Sequence, residues 1–163
     1  MKRLKKLAVF LLSLILGLGA VSCDFNKAVA NPTPESLVAS FYTAWEKSDV
    51  NAIANLTHEK MWEVEAKSAD VSVNELKTQF KATYAEGAGS TVYYKVLSVT
   101  EYKAGQDAFE DTYKWALDRY EIEIEGYAVV RVAVTYDNGE PVTEDMGIIK
   151  IDKSWYAKDL LGI

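Results

Sequence analysis

The sequence is poor in the residues from which metal, redox and phosphate sites are built. Its 163 residues include one cysteine and one histidine, so the chain cannot form an internal disulfide. The histidine, His58, is adjacent to Glu59 and lies five residues before Glu63, which is poor spacing for metal ligands. Gly87 and Gly89 precede a predicted strand, so they indicate the end of a helix and not a phosphate-binding loop. We therefore expect no metal and no cofactor.

Positive charge is also scarce. The chain has 18 Lys and Arg against 24 Asp and Glu, which gives a net charge of −6. Without its first 22 residues it would keep 14 cations against the same 24 acids, a net charge of −10. A surface this acidic argues against nucleic acid as a partner and against electrostatic attraction to anionic lipid.

One long apolar run is present, and it lies at the N-terminus. Several cations within residues 2–6 are followed by an apolar run over residues 7–21, which is 15 residues long. A membrane-spanning helix needs about 20 apolar residues, so this length with a basic flank is more typical of a secretory signal. The letters AVSC at residues 20–23 resemble the lipobox of bacterial lipoproteins.

We therefore predict a signal peptide over residues 1–22 and a tether over residues 23–32, with a lipid on Cys23. The protein would then lie in the cell envelope, anchored to a membrane on its extracytoplasmic side. The alternative is ordinary secretion, in which Cys23 is a chance residue near the cleavage site.

The remaining residues, 33–163, are predicted to form a single domain whose first half is helical. Thr33 and Pro34 suit the start of a first helix, and Asp49 suits the N-cap of a short second helix. A third helical turn is expected to be capped by Thr57. A Ser-x-x-Glu capping box at residues 72–75 predicts a fourth helix, which is expected to face Leu76, Phe80 and Tyr84 inward.

The second half of the chain changes to the two-residue period of strands. Strands are predicted at residues 91–102, 127–136 and 141–151, followed by a last strand that contains Trp155. Between the first two strands, residues 106–120 return to helical spacing, with an inward stripe of Phe109, Tyr113, Leu117 and Tyr120. This order predicts an α+β fold in which a curved antiparallel sheet wraps around the N-terminal helices.

Two segments resemble the nuclear transport factor 2-like (cystatin-like) superfamily. PESLVASFYTAWEKSDVNAI at residues 34–53 resembles its first helix and turn, and GIIKIDKSWYAKDL at residues 147–160 resembles its last hairpin. The chain is similar to small bacterial lipoproteins of that superfamily, which are domains of unknown function. The shared residues are Phe41, Tyr42, Ala44, Asp49 and Trp155. The resemblance implies a cone with a pocket at its open end, and it leaves the function open because such a fold hosts many functions.

An enzyme of the ketosteroid isomerase type would need a carboxylate base inside the cone. The inward face of the clearest strand instead alternates apolar side chains from Ala128 to Val134. Glu121, Glu123 and Glu125 are expected at a solvated edge, and Asp145 could face either way. We therefore predict no catalytic residue, with a pocket-carboxylate enzyme as the alternative.

Aromatic side chains are the candidates for a ligand pocket. We predict that Phe41, Trp45, Trp62 and Tyr94 line it, while core packing is the alternative for the two tryptophans. Arg131 lies within a predicted strand and would contact an anion or a partner, or else pair with a neighbouring Glu on the solvent face.

The function predicted from these features is non-enzymatic binding by a membrane-anchored protein. The bound species would be a small apolar ligand in the cone, or an envelope protein on the open face of the sheet. A structural envelope protein that forms a homodimer through the sheet is a further alternative.

We predict that the mature chain begins at a lipid-modified Cys23. Native mass spectrometry of the full-length protein, extracted from its own membranes, should detect acyl mass on a chain that starts at this residue. An unmodified chain that begins at another residue would contradict the predicted anchor.

Overall fold

The structure is a computed structural model that describes residues 31–90, 92–137 and 139–161. The predicted signal peptide, the lipidation of Cys23 and most of the predicted tether lie outside these residues. Within the part that is described, the chain forms an α+β fold of helices and one four-stranded antiparallel sheet. None of the described helices combines the length and the hydropathy that crossing a membrane requires.

The elements alternate much as the sequence predicts. The helices are α1 (Pro34–Glu46), α2 (Val50–Ala54), α3 (Glu59–Ser68), α4 (Val73–Ala85) and α5 (Asp107–Tyr120). The strands are β1 (Val92–Tyr102), β2 (Gly126–Tyr136), β3 (Val142–Ile151) and β4 (Ser154–Ala157). The helix α5 connects β1 to β2, and β2, β3 and β4 follow one another directly.

Capping residues start the helices where the sequence predicts, with one exception. Thr33 caps α1 with Pro34 in its first turn, Asp49 caps α2, and the capping box at residues 72–75 starts α4. The prediction that Thr57 caps the third helix is wrong. His58 caps α3 instead, because its side chain accepts the Lys60 N–H at 3.3 Å, whereas the buried Thr57 hydroxyl has no hydrogen-bond partner.

The strands lie side by side in the order β1-β2-β3-β4, and every neighbouring pair is antiparallel. In β1, Val96 pairs with Val132 and Ser98 pairs with Arg131, so Leu97 is an extra residue in a β-bulge. Such a bulge bends an edge strand and increases its twist. The β3–β4 turn has positive φ at both central residues, 47° at Asp152 and 68° at Lys153, as a type I′ turn requires.

The larger apolar core lies between α1 and one face of the sheet. Alternate residues of β2 from Ala128 to Val134 are buried, as the sequence predicts, because side chains of a strand point to opposite faces in turn. They pack with buried residues of α1 and α2: Leu37, Val38, Phe41, Tyr42, Ala44 and Ile53.

A second apolar core lies on the other face of the sheet, at one end of it. Ile149 and the partly buried Tyr127 alternate with the inner residues and pack in one cluster with Phe109 and Ala116 of α5. The helices therefore do not all share one face of the sheet. The predicted α5 stripe is wrong at Leu117, whose side chain is 40% exposed.

An ion pair between a buried glutamate and a more exposed arginine joins α3 to α5. Glu65 is 5% exposed, and its two carboxylate oxygens accept Arg119 Nε–H at 2.8 Å and Nη2–H at 3.0 Å. The Tyr120 hydroxyl donates a third hydrogen bond at 2.6 Å. Burial alone would raise the pKa of Glu65, but the bonds from Arg119 and Tyr120 outweigh it, so this pKa lies below its ordinary value. Glu65 therefore stays charged and links the two helices.

We predict that Arg119→Met lowers the free energy of unfolding, because it leaves the Glu65 carboxylate buried without its cation. Removing one partner of a fully buried pair costs about 3–5 kcal/mol, and we expect about 2 kcal/mol here because Arg119 is 40% exposed. Chemical denaturation of the domain measures this difference.

The matched control is Arg131→Met, which makes the same substitution in an exposed arginine–aspartate pair. It should leave the denaturation midpoint unchanged, since exposed pairs contribute little. An equal loss in both variants would contradict the role of Glu65 burial.

Candidate functional site

An open groove lies between three helices and the C-terminal segment of the described chain. Its volume is about 560 Å³. It is lined by Trp45 of α1, Trp62 of α3, residues of α4 and Leu160 with Leu161. The α4 residues at the groove are Leu76, Gln79, Phe80, Thr83 and Tyr84.

The aromatic rings around the groove are in contact with one another. The ring of Trp62 meets Phe80 edge-on at 5.1 Å between centroids, and Phe80 stacks on Tyr84 at 4.4 Å. Tyr84 in turn meets Trp45 edge-on at 6.1 Å. Such contacts fix ring positions, so the wall presents ordered aromatic surface.

The groove exists because α4 is only partly packed against the other helices. No residue of α4 is fully buried, yet Leu76, Phe80 and Tyr84 lie on one face at helical spacing and turn toward the domain. The exposed Gln79 and Thr83 provide the polar rim. The sequence-predicted face of this helix is therefore correct, but it lines an opening and is not sealed in a core.

A smaller cavity of about 190 Å³ lies beside β3. Its apolar lining includes Phe41, Val132, Met146 and Ala157. Its polar lining includes Glu144, Asp145 and Asp159. Leu160 lines this cavity as well as the larger groove.

Two tyrosine hydroxyls contact the carboxylate of Glu144. Tyr42 donates to it at 3.4 Å, and Tyr136 donates at 3.2 Å. Burial, together with the nearby Glu144 charge, raises the pKa of Tyr42 and raises the pKa of Tyr136 to about 12. Both phenols therefore stay neutral and act as donors to Glu144.

The structure distributes the four predicted pocket residues over different places. Trp45 and Trp62 line the groove, whereas Phe41 lines the smaller cavity. Tyr94 lines neither of these cavities. It is 39% exposed and stacks on Tyr42 at 4.6 Å between ring centroids. The four residues therefore do not line one common cavity, although Phe41 and Trp45 are in ring contact across the two neighbouring ones. That they bind a ligand stays a prediction.

Arg131 is paired within the chain. Its guanidinium donates two hydrogen bonds to Asp145, both at 2.8 Å, on the exposed face of the sheet. The two residues are direct partners across β2 and β3, which brings opposite charges together. The alternative of an ion pair on the solvent face therefore describes Arg131, but the partner is an aspartate and not the predicted glutamate.

Comparison with protein-family models, with curated proteins and with solved structures finds no match for this chain. The chemistry of the candidate site therefore rests on its own geometry. Among residues 31–90, 92–137 and 139–161, no group of three or more acidic, histidine or cysteine side chains is arranged to hold a metal ion.

Sequence reasoning missed several residues that form these cavities. The sequence predicts that Leu76, Phe80 and Tyr84 of α4 face inward. It does not predict that they line an open groove. Leu160 gave no signal because it follows the last strand, where no periodic pattern continues. Glu144 lies in β3, and its contact with tyrosines from two other elements depends on the strand register.

His58 is half-buried at the start of α3, where the ring of Tyr156 meets it edge-on at 5.0 Å. Its unprotonated Nδ1 accepts the Lys60 N–H. Burial lowers the pKa of His58 below its ordinary value of about 6.5, although the charges of Asp152, Glu59 and Glu63 act in the opposite direction. This histidine therefore has a structural role as a neutral helix cap.

We predict that stability decreases in mild acid because of His58. Its pKa is lower in the folded state, so the unfolded state binds the proton first as the pH falls. The contribution is complete above about pH 6.5 and is lost progressively below that value. Thermal unfolding of the wild type should therefore show a decrease between about pH 6.5 and pH 5.

The matched variant is His58→Asn, because asparagine can cap a helix without titrating in this range. Its unfolding midpoint should change less over the same interval. A parallel decrease in both proteins would assign the acid sensitivity to other groups.

Proposed function

We propose that this protein binds a small, mainly apolar ligand in the aromatic groove, and that it does so as a lipid-anchored protein of the bacterial cell envelope. The observation that carries the binding function is the groove itself. It is open and lined by two tryptophans, a phenylalanine, a tyrosine and three leucines.

The size and lining of the groove suit a small molecule. Ligand pockets usually have volumes of about 300–1,000 Å³ and are lined by apolar and aromatic side chains with a few polar groups. A volume of about 560 Å³ lies within that range. Trp45, Phe80 and Tyr84 remain partly exposed, so a ligand that covered them would remove apolar surface from water.

The proposal includes the nuclear transport factor 2-like cone that the sequence resembles. It is supported by the four-stranded antiparallel sheet and by α1, which packs on the sheet's apolar face. The bulge at Leu97 supplies one point at which the edge strand bends.

The anchor would hold the domain close to the membrane. Asn31 is fixed to β4, because its carbonyl oxygen accepts the Trp155 N–H at 2.9 Å. Asn31 lies eight positions after Cys23, and a chain of that length spans at most about 29 Å when fully extended. A lipid on Cys23 would therefore keep the binding domain within reach of the bilayer surface.

The enzyme alternative has weaker support than binding. The buried carboxylate of Glu65 has three donors and a lowered pKa, which is the opposite of what a general acid requires. Glu144 accepts hydrogen bonds from two tyrosine hydroxyls, as the carboxylate of an active site can. It is exposed, however. The homodimer stays a prediction from the sequence.

We predict that Thr83→Trp lowers the affinity of the domain for N-phenyl-1-naphthylamine, a neutral apolar fluorescent probe, by about tenfold or more. Thr83 is exposed at the groove rim, so a large side chain there would occupy the groove without entering the core. Fluorescence titration measures the affinity.

Thr78→Trp is a closely matched control. Thr78 is also exposed on α4, and its hydroxyl makes the same bond to the carbonyl four residues earlier, but it does not line the groove. This variant should bind the probe like the wild type. Absence of probe binding by the wild type, or equal weakening by both variants, would refute the groove as the binding site.

A further inference from the structure

We propose that the groove and the smaller cavity form one site for an amphipathic ligand with a cationic head, whose apolar part lies in the groove and whose head lies beside Glu144. The inference rests on the proposed binding function and names the class of its ligand, an alkyl or aryl ammonium compound.

The two cavities are neighbours in the structure. Leu160 lines both of them, and its carbonyl oxygen accepts a hydrogen bond from the Tyr84 hydroxyl at 3.4 Å. On the other side, Phe41 of the smaller cavity contacts Trp45 of the groove at 5.9 Å between ring centroids. Leu160 therefore forms a wall that the groove and the smaller cavity share, and the proposed ligand would extend past this side chain from one space into the other.

The smaller cavity has negative charge that its own neighbours leave uncompensated. The donors on Glu144 are the phenols of Tyr42 and Tyr136, which are neutral. Asp145 differs, because Arg131 neutralises it. Glu144 is therefore the main anionic group facing this space.

Asp159 is a second carboxylate in the lining. The ammonium group of Lys158 lies 3.0 Å from a carboxylate oxygen of Asp159. The same group lies 4.6 Å from the centre of the Trp115 ring, so Lys158 interacts with the ring as well as with the carboxylate. The absence of a side chain at Gly147 makes room for Asp159, since a Cβ atom there would be 2.5 Å from Oδ2. The backbone thus admits this carboxylate to the cavity.

The surroundings of these carboxylates favour an organic cation over a metal ion. Calcium and magnesium require several oxygen ligands around one point, whereas the rest of the lining is apolar, with Phe41, Val132, Met146 and Ala157. An alkylammonium group is compatible with both parts, because its carbon atoms contact apolar surface and its charge is attracted by carboxylates and ring faces.

Three probes with the same tail and different heads test the inference: decyltrimethylammonium, decan-1-ol and decyl sulfate. Each is titrated against the domain loaded with N-phenyl-1-naphthylamine, the two ionic probes below their critical micelle concentrations and decan-1-ol below its solubility limit. We expect all three to displace the naphthylamine from the groove. The cation should bind about tenfold more tightly than the sulfate at about 0.15 M salt, where long-range attraction is largely screened.

The variant Glu144→Gln should reduce this preference for the cation at least about threefold while leaving the affinity for decan-1-ol unchanged. Glu140→Gln is the matched control, because it removes the same charge from an exposed position between β2 and β3 that does not line the cavity. It should retain the wild-type preference.

The outcomes separate the two proposals. Equal affinity for the three heads, or an equal effect of both glutamine variants, would overturn the cationic-head inference and leave binding in the groove intact. Failure of all three amphiphiles to displace a naphthylamine that does bind would have the same meaning. If the naphthylamine itself does not bind, both the proposed function and this inference are wrong.

Discussion

The packing of α1 on the apolar face of β2 is the interaction on which the other features depend. Leu37, Val38 and Phe41 lie against the alternating apolar residues of that strand in one buried cluster. Because the same helix turns Trp45 toward α4 and Tyr42 toward Glu144, its position sets one wall of both cavities. A shift of α1 would therefore alter the core and the candidate site together.

The groove lies beside α4, a helix whose first turn is well capped but whose apolar face is only partly covered by other residues. The capping box fixes the beginning of α4. This helix packs beside α2 and α3, and aromatic rings connect its apolar face to α1 and α3. A ligand would complete the burial that the described chain leaves unfinished. The energetic cost of keeping those rings partly exposed is then part of the affinity for whatever covers them.

Local patterns predicted the elements well, and long-range geometry explains what they missed. Proline, aspartate and the capping box located three helix starts, because these signals act within one turn. The sequence could not distinguish Thr57 from His58 as the cap of α3, because the orientation of each side chain depends on residues that are distant in the sequence. In the structure His58 is the cap and Thr57 is buried. The separation of Phe41 from Trp62, and the position of Leu160, depend on how distant segments meet, which periodicity in a single sequence does not encode.

The hydrogen bonds between Asn31 and Trp155 place the start of the described chain beside β4, the last strand. From Trp155, the five residues to Leu160 reach at most about 18 Å. The wall between the two cavities therefore lies near the exit of the segment that would lead to the lipid. An amphiphile leaving the bilayer beside that anchor would have only a short path to diffuse, and the bilayer itself would act as its reservoir.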